Sequence, residues 1–275
     1  MKDVVLLTGA GQIGMAIARR IGYGKKIIIG DKSLENAENI SKIMTEAGYD
    51  VEYYECDISS RESIQNLIKK AQEYGEIAHF INAAGVSPSQ ASIETILKVD
   101  LYGTAVLLEE VGKVIKKGGT GVIISSQSGH RMKQLGAEID EQLATTPTEQ
   151  LLNLDVLQVE NIEDTLHAYQ LAKRCNVKRV MYEACRWGEK QARINSISPG
   201  IVVTPLALDE FNGPRGDFYK HMFENCPAGR PATADEVANV ADLLLNPQGS
   251  FITGSDYLID GGATASYFYG KLKPE

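Results

Sequence analysis

Seven short apolar runs rich in β-branched residues recur along the chain, at Val4–Leu7, Lys26–Ile29, Val51–Tyr54, Ala78–Ile81, Gly121–Ile124, Arg193–Ile197 and Tyr257–Ile259. Longer segments with helical spacing separate them, among them Ser33–Ala47, Ser60–Tyr74 and Thr233–Leu245. Strands that alternate with helices pair in parallel, because each crossover must lay its helix on the sheet. The pattern therefore predicts an α/β fold: a doubly wound, seven-stranded parallel sheet with helices on both faces and right-handed crossovers. At 275 residues, 43% hydrophobic and 23% charged, the chain can bury such a core. No repeat or low-complexity linker interrupts it, so residues 1–275 read as one domain.

Composition removes several function classes. A net charge of -8 with scattered basic residues argues against nucleic acid as a partner. Cys56, Cys175, Cys185 and Cys226 lie far apart without a CxxC pair, which predicts reduced thiols, no metal site and a reducing cytoplasm. The opening MKDVVLLTG flows straight into glycines without a cleavage site or a bilayer-length run, so it reads as a first strand, with no membrane partner.

The stretch LLTGAGQIG places Gly9, Gly11 and Gly14 in GxGxxG spacing between strand and helix. The first glycine permits the tight turn, the second lets backbone approach a pyrophosphate, and the third lets helix pack on strand. Thr8 leads into this turn, and Gln12 and Ile13 open the helix whose N-terminus faces the phosphates. Strand two ends in IIIGD, with Asp31 17 residues beyond Gly14, where a carboxylate can bind the adenosine ribose and repel a 2′-phosphate. This favours NAD over NADP, although neighbouring Lys32 could welcome a phosphate. Strand three ends in ECDI, with Asp57 and Ile58 beside the expected adenine. Strand four ends in INAAG, where Asn82, Ala83, Ala84 and Gly85 leave backbone beside the cofactor. Four carboxyl-end loops thus converge on one crevice.

In AYQLAKR, Tyr169 and Lys173 stand four apart and share a helix face. Tyr267/Lys271 and Tyr269/Lys273 have the same spacing but lie in the short tail beyond GG, so only the first pair has suitable surroundings. Strand five ends in GVIISSQSG, and period-two alternation lets one of Ser125 and Ser126 face the crevice; Ser126 is the candidate.

Taken in order, TGAGQIG, INAAG, IISSQSG, YQLAK, INSISPGIVVTP and ITGSDYLIDGG resemble the short-chain dehydrogenase/reductases across nearly the whole chain. The resemblance implies a Rossmann-type domain, a nicotinamide dinucleotide, and Ser126, Tyr169 and Lys173 as the catalytic group. It implies that Pro199, Gly200, Val202 and Thr204 flank the nicotinamide. It also implies a dimer or tetramer built on the helices matching Val99–Lys116 and Tyr169–Gln191. The activity implied is hydride transfer between a small secondary alcohol and its ketone, with a sugar epimerase or dehydratase as the runner-up. A non-catalytic dinucleotide sensor is the alternative from another class. Physical chemistry supports the enzyme: a free tyrosine titrates near about 10 and needs a nearby cation such as Lys173 to act as a base at neutral pH.

Three departures from the family stand out. The glycine turn is one residue shorter than TGxxxGxG. VDLYG carries Asp100 where the family often has asparagine, which places Asp100 in the proton relay past Lys173. Ser126 and Tyr169 are 43 residues apart, far more than in the commonest subtype. The extra segment, about residues 130–165, reads as an ordered helical insertion between strand five and the catalytic helix. TPTE within it suggests a capping box, with Thr146 as N-cap, Pro147 first in the helix and Glu149 reaching back. Its leucines Leu143, Leu151, Leu152, Leu154 and Leu157 are expected to pack on a substrate lid, about residues 206–231, with Glu138, Asp140 and Glu141 bounding the entrance. His130 beside Arg131 is expected to face solvent, His79 to be structural, and Trp187 to lie in the core or a subunit interface.

Overall fold

The computed structural model describes residues 2–213 and 216–274. All seven strands form: β1 (Val4–Thr8), β2 (Lys26–Asp31), β3 (Asp50–Glu55), β4 (Ile77–Asn82), β5 (Thr120–Ile124), β6 (Arg193–Pro199) and β7 (Asp256–Ile259). They pair in parallel in the order β3-β2-β1-β4-β5-β6-β7. The chain winds outward from β1 to β3, then returns to lay β4 on the other side of β1. At this reversal the crossovers leave in opposite directions and a crevice opens beyond the strand ends. Thr8, last in β1, sits there in register with Gly30 and Asn82.

The helices are α1 (Gln12–Ile21), α2 (Leu34–Glu46), α3 (Arg61–Tyr74), α4 (Ile93–Ile96), α5 (Thr104–Val114), α6 (Ala137–Thr145), α7 (Thr165–Gly188), α8 (Pro205–Phe211), α9 (Gly216–Asn225), α10 (Ala234–Leu245) and α11 (Ala263–Tyr269). Hydroxyl caps explain several starts: Ser33 accepts from Asn36 N, Ser60 from Ser63 N, and Thr233 with Glu236 closes a capping box on α10. Alternate strand residues feed the two faces. Val5, Leu7, Ile29 and Ile81 pack with α1, α2 and α10, whereas Val4, Leu6, Ile28 and Phe80 pack with α3, α5 and α7. Both faces are covered, so the strands read as continuous apolar runs. Trp187 belongs to this core: it is fully buried and its Nε1 donates to Leu108 O at 3.1 Å. His79 is structural too, with Nδ1 2.8 Å from Thr120 Oγ1, and burial lowers its pKa to about 4.

The insertion is ordered, but it differs from expectation in three ways. Only α6 is α-helical; Thr148–Asn153, Asp155–Leu157 and Val159–Asn161 are short 3-10 turns. The TPTE capping box does not form. Arg179 of α7 instead donates to Ala144 O, Thr146 O and Thr148 Oγ1, while Glu149 accepts from Arg61 and Tyr102. Nor does the apolar cluster that holds the leucines include any lid residue among the described ones. Leu143, Leu151 and Leu157 are buried against Ile96, Leu97, Leu101 and the Ala168, Leu171, Ala172 and Cys175 face of α7, with Leu152 and Leu154 packed at the margin. A helix face already adjacent in the same subunit offers apolar surface without reaching across the mouth.

Candidate active site

The glycine turn shows two close approaches and one open position. Gly9 has φ +91°, and a Cβ there would lie 2.3 Å from Ala84 N, so the turn is seated on the end of β4. A Cβ on Gly14 would lie 2.7 Å from Gly9 O and 2.8 Å from Leu7 Cδ1, so the helix is pressed onto the strand. Gly11, the N-cap of α1, has no such neighbour within 4 Å and faces open space. That space is a crevice of about 610 Å³ lined by Gly9, Gly11, Gln12, Ile13, Gly14, Asp31, Lys32, Asp57, Ile58, Ala83, Ala84, Gly85 and Thr204. A bare glycine at a helix N-terminus above a long crevice fits the phosphates of a dinucleotide.

Asp31 is anchored before any ligand arrives: Oδ2 accepts from Ala10 N at 2.7 Å and Oδ1 from Ser33 N at 2.8 Å. Lys32 is paired with Asp57 Oδ2 at 2.9 Å. Thr8 and Asn82 are buried and line neither this crevice nor the cavity described below. Thr8 Oγ1 donates to Asn82 Oδ1 at 3.0 Å, and Asn82 Oδ1 also accepts from Ala84 N, so both support the crevice floor from beneath.

At the end of β5 the two serines part. Ser125 is buried and its hydroxyl donates to Lys173 O at 2.9 Å. Ser126 Oγ accepts from Ser128 N at 3.1 Å, leaving its own proton as a donor. Ser126 and Tyr169 line one cavity of about 750 Å³. One turn further along α7, Lys173 Nζ lies 5.2 Å from the Tyr169 ring centroid. Lys173 itself lines neither space. Its ammonium lies 3.5 Å from Asp100 Oδ2, and Asp100 Oδ1 accepts from Val86 N at 2.8 Å. Asp100 reaches inward from a π-helical stretch, Leu97–Gly103, joining α4 to α5; such stretches re-aim a side chain within a helix. Burial pushes the Asp100 carboxyl up, against the pull of Lys173. Burial disfavours the Lys173 ammonium, yet the Asp100 charge prevails and holds its pKa above the ordinary lysine value.

Thr204 borders both the crevice and the cavity, which places their junction at the segment after β6. Gly200 and Val202 line the cavity, while Pro199 lines neither space. From the expected lid, Ala207, Phe218, Tyr219, His221 and Met222 face the cavity. Pro214 and Arg215 of that lid lie outside the described residues. The acidic entrance does not occur among the described residues: Glu138, Asp140 and Glu141 line no part of the cavity, and Asp140 is held by Arg174 and Lys178. His130 is half-buried instead of solvent-facing, with Nε2 2.7 Å from Asp256 Oδ2, itself bonded by Ser196 and Ser198. Sequence reading missed Arg131, Leu272 and Pro274, and it set aside Tyr267, Lys271 and Lys273 as tail residues, yet all six line the cavity. The Tyr–Lys spacing in the tail gave no sign of this; the return of α11 to the mouth brings the tail there. Among the described residues no cluster of His, Cys, Asp and Glu could hold a metal, and no helix is long and apolar enough to cross a membrane.

A glycine turn at the reversal of a seven-stranded parallel sheet, beside a Tyr–Lys pair, defines a Rossmann-type architecture. The family profile described as short chain dehydrogenase matches residues 3–138, and one described as Enoyl-(Acyl carrier protein) reductase matches residues 135–264. A short-chain dehydrogenase/reductase of Alternaria brassicicola is 38% identical, covering 96% of each chain. An NADP-dependent mannitol dehydrogenase of Hypocrea jecorina is 30% identical over 95% of this chain and 92% of its own. The solved structure of a levodione reductase superposes with a TM-score of 0.77 at 25% identity, covering 96% of this chain and 98% of the other. The chain belongs to the short-chain dehydrogenase/reductases and is an oxidoreductase of that family.

Proposed function

We propose that this protein interconverts a small secondary alcohol and its ketone by hydride transfer, with NAD as cofactor and Ser126, Tyr169 and Lys173 as the catalytic group. The observation that carries the reading is the shared cavity: Ser126 and Tyr169 line one space, and it meets the glycine-turn crevice at Thr204. When bound, the nicotinamide accepts or returns the hydride. In alcohol oxidation the Tyr169 oxygen takes the hydroxyl proton, while the Ser126 hydroxyl donates to the substrate oxygen and orients it. In reduction Tyr169 returns that proton to the developing alkoxide. Lys173 favours the phenolate by its charge, and Asp100 sets how much of that charge Tyr169 feels. The preference for NAD rests on Asp31 at the ribose position and on Lys32 being engaged by Asp57.

The four cysteines are free, which supports a reducing cytoplasm as the site of action. Met181 and Tyr182 remain exposed on α7 beyond the insertion, which supports a homo-oligomer, dimer or tetramer, through that helix. The deciding experiment incubates the purified protein with NAD or NADP and a panel of secondary alcohols, following absorbance of the reduced cofactor. Turnover with NAD that Tyr169→Phe abolishes supports the reading. Tight cofactor binding without turnover of any alcohol or ketone would leave the sensor instead.

A further inference from the structure

We propose that the cavity beside Ser126 and Tyr169 takes a substrate bearing an oxyanion group, carboxylate or phosphate, which Arg131 receives. This deepens the alcohol–ketone reading and rests on it. The chain has 36 acidic residues against 28 basic ones, so a large cavity would ordinarily show carboxylates on its wall. Among the residues whose side chains are described, none that lines it is Asp or Glu, while Arg131, Lys271 and Lys273 all contribute.

Arg131 is a built feature, since the segment carrying it is pinned on three sides. Ser128 N donates to Ser126 Oγ, Arg131 N donates to Ser128 O, and His130 is bound to Asp256. A Cβ on Gly129 would lie 2.8 Å from Arg174 N, so the segment is also pressed against α7. Arg131 is half-buried, with Nη1 3.8 Å from Met222 Sδ and Cζ 5.8 Å from the Tyr267 ring centroid. Among the described residues no carboxylate lies within 4 Å of it. The charge of Asp260 reaches it, but the oxygens of Asp260 accept from Gly262 N and Thr264 N.

A charge withdrawn from water without a counter-ion is costly, and an incoming anion removes that cost. A planar guanidinium offers two parallel N–H bonds, a geometry that suits carboxylate and phosphate alike. Lys271 and Lys273, exposed at the rim, add attraction during approach. Leu166, Ile201, Phe218 and Met222 supply the apolar wall for the carbon body.

The test measures kcat/KM for ketone reduction by the full chain on matched pairs: levulinate with its methyl ester, and dihydroxyacetone phosphate with dihydroxyacetone. We expect the charged member of at least one pair to be favoured by about tenfold or more, the scale of one charge-assisted hydrogen-bonded pair. Arg131→Gln should bring that ratio to within about twofold of one, and Arg131→Lys, which keeps the charge but not the fork, should retain part of it. Preference for levulinate alone assigns carboxylate; preference for dihydroxyacetone phosphate alone assigns phosphate. Equal handling of both pairs by the unmodified protein, or a preference that survives Arg131→Gln, overturns the proposal and leaves the alcohol–ketone reading standing. If no ketone is reduced, that reading is what fails, and calorimetric titration of the cofactor-loaded protein with levulinate and with inorganic phosphate decides the anion site. A Kd at least about tenfold weaker in Arg131→Gln supports it, whereas equal Kd values or no binding overturn it.

Discussion

Lys173 Nζ lies 3.5 Å from Asp100 Oδ2, with the two side chains 5% and 0% exposed. The cation proposed to favour the Tyr169 phenolate is thus partly neutralised from behind by a carboxylate. Asp100→Asn keeps the shape and removes that charge, so Lys173 should act more strongly on Tyr169. The pH at which alcohol oxidation reaches half its plateau should fall. Asp100→Ala leaves a buried ammonium unpaired and should destabilise the fold by about 3–5 kcal/mol in denaturant titration. An unchanged pH profile in the asparagine variant would show that the pair is only structural.

Tyr169→Phe should leave cofactor affinity nearly unchanged while turnover collapses, because in the proposed mechanism the hydroxyl acts on the transferring proton. Lys173→Ala should reduce turnover and stability together, since it also leaves Asp100 without its counter-charge. Parallel cofactor titrations and single-turnover rates check both. Retention of most of the activity by Tyr169→Phe would remove the assigned base.

Asp31→Ala should weaken NAD and narrow its advantage over NADP, as a charge-assisted acceptor and a repulsive charge are both lost. The same change strands Ala10 N and Ser33 N, so a stability loss of about 1–2 kcal/mol should accompany it. Measuring both Kd values beside the melting temperature separates these effects. Comparable affinities for the two cofactors in the unmodified protein would refute the first half.

Leu151 is fully buried between the insertion and the catalytic-helix face, so Leu151→Ala should cost about 2–5 kcal/mol. Deleting residues 137–161 should expose Ile96, Leu101, Leu171 and Cys175 and promote self-association, visible in sedimentation. A deletion that stays monodisperse and equally stable would contradict this packing.

Arg61 gathers Glu109, Glu110 and Glu149, and Lys113 adds a second cation. Burial alone would raise Glu109, but hydrogen bonds from Lys113 and Arg61 outweigh it and lower its pKa from 4.5 to about 2. Between those values the unfolded chain binds the proton more readily. The stabilisation is therefore complete above pH 4.5 and is lost as pH falls toward 2. Glu109→Gln should lower stability at neutral pH by about 2 kcal/mol and flatten the acid limb of the melting temperature.

The alternation of apolar runs, the GxGxxG turn and the hydroxyl caps determined the sheet, its helices and the crevice, because each of these signals acts over a few neighbouring residues. Gly9, Gly11 and Gly14 were legible for the same reason: a turn that must touch Ala84 and Leu7 leaves no room for a Cβ at two of the three positions. Alternation showed that only one of Ser125 and Ser126 faces the crevice; the structure tells them apart, since the Ser125 hydroxyl is buried against Lys173 O and Ser126 lines the cavity. The insertion was legible as ordered but not in its contacts. TPTE carries a capping signal, yet Arg179, 33 residues away, takes the Thr146 carbonyl, and Arg61 and Tyr102 take Glu149. Only the tertiary structure could decide between competing partners of similar strength, because long-range hydrogen bonds override a local cap of about 1 kcal/mol. The same holds for the wall of the cavity. In the sequence Arg131 is only the neighbour of His130, and Lys271 is part of a tail. They meet beside Tyr169 because His130 is tied to Asp256 and because α11 returns the chain to the mouth, relationships between residues more than 100 positions apart that no short window contains.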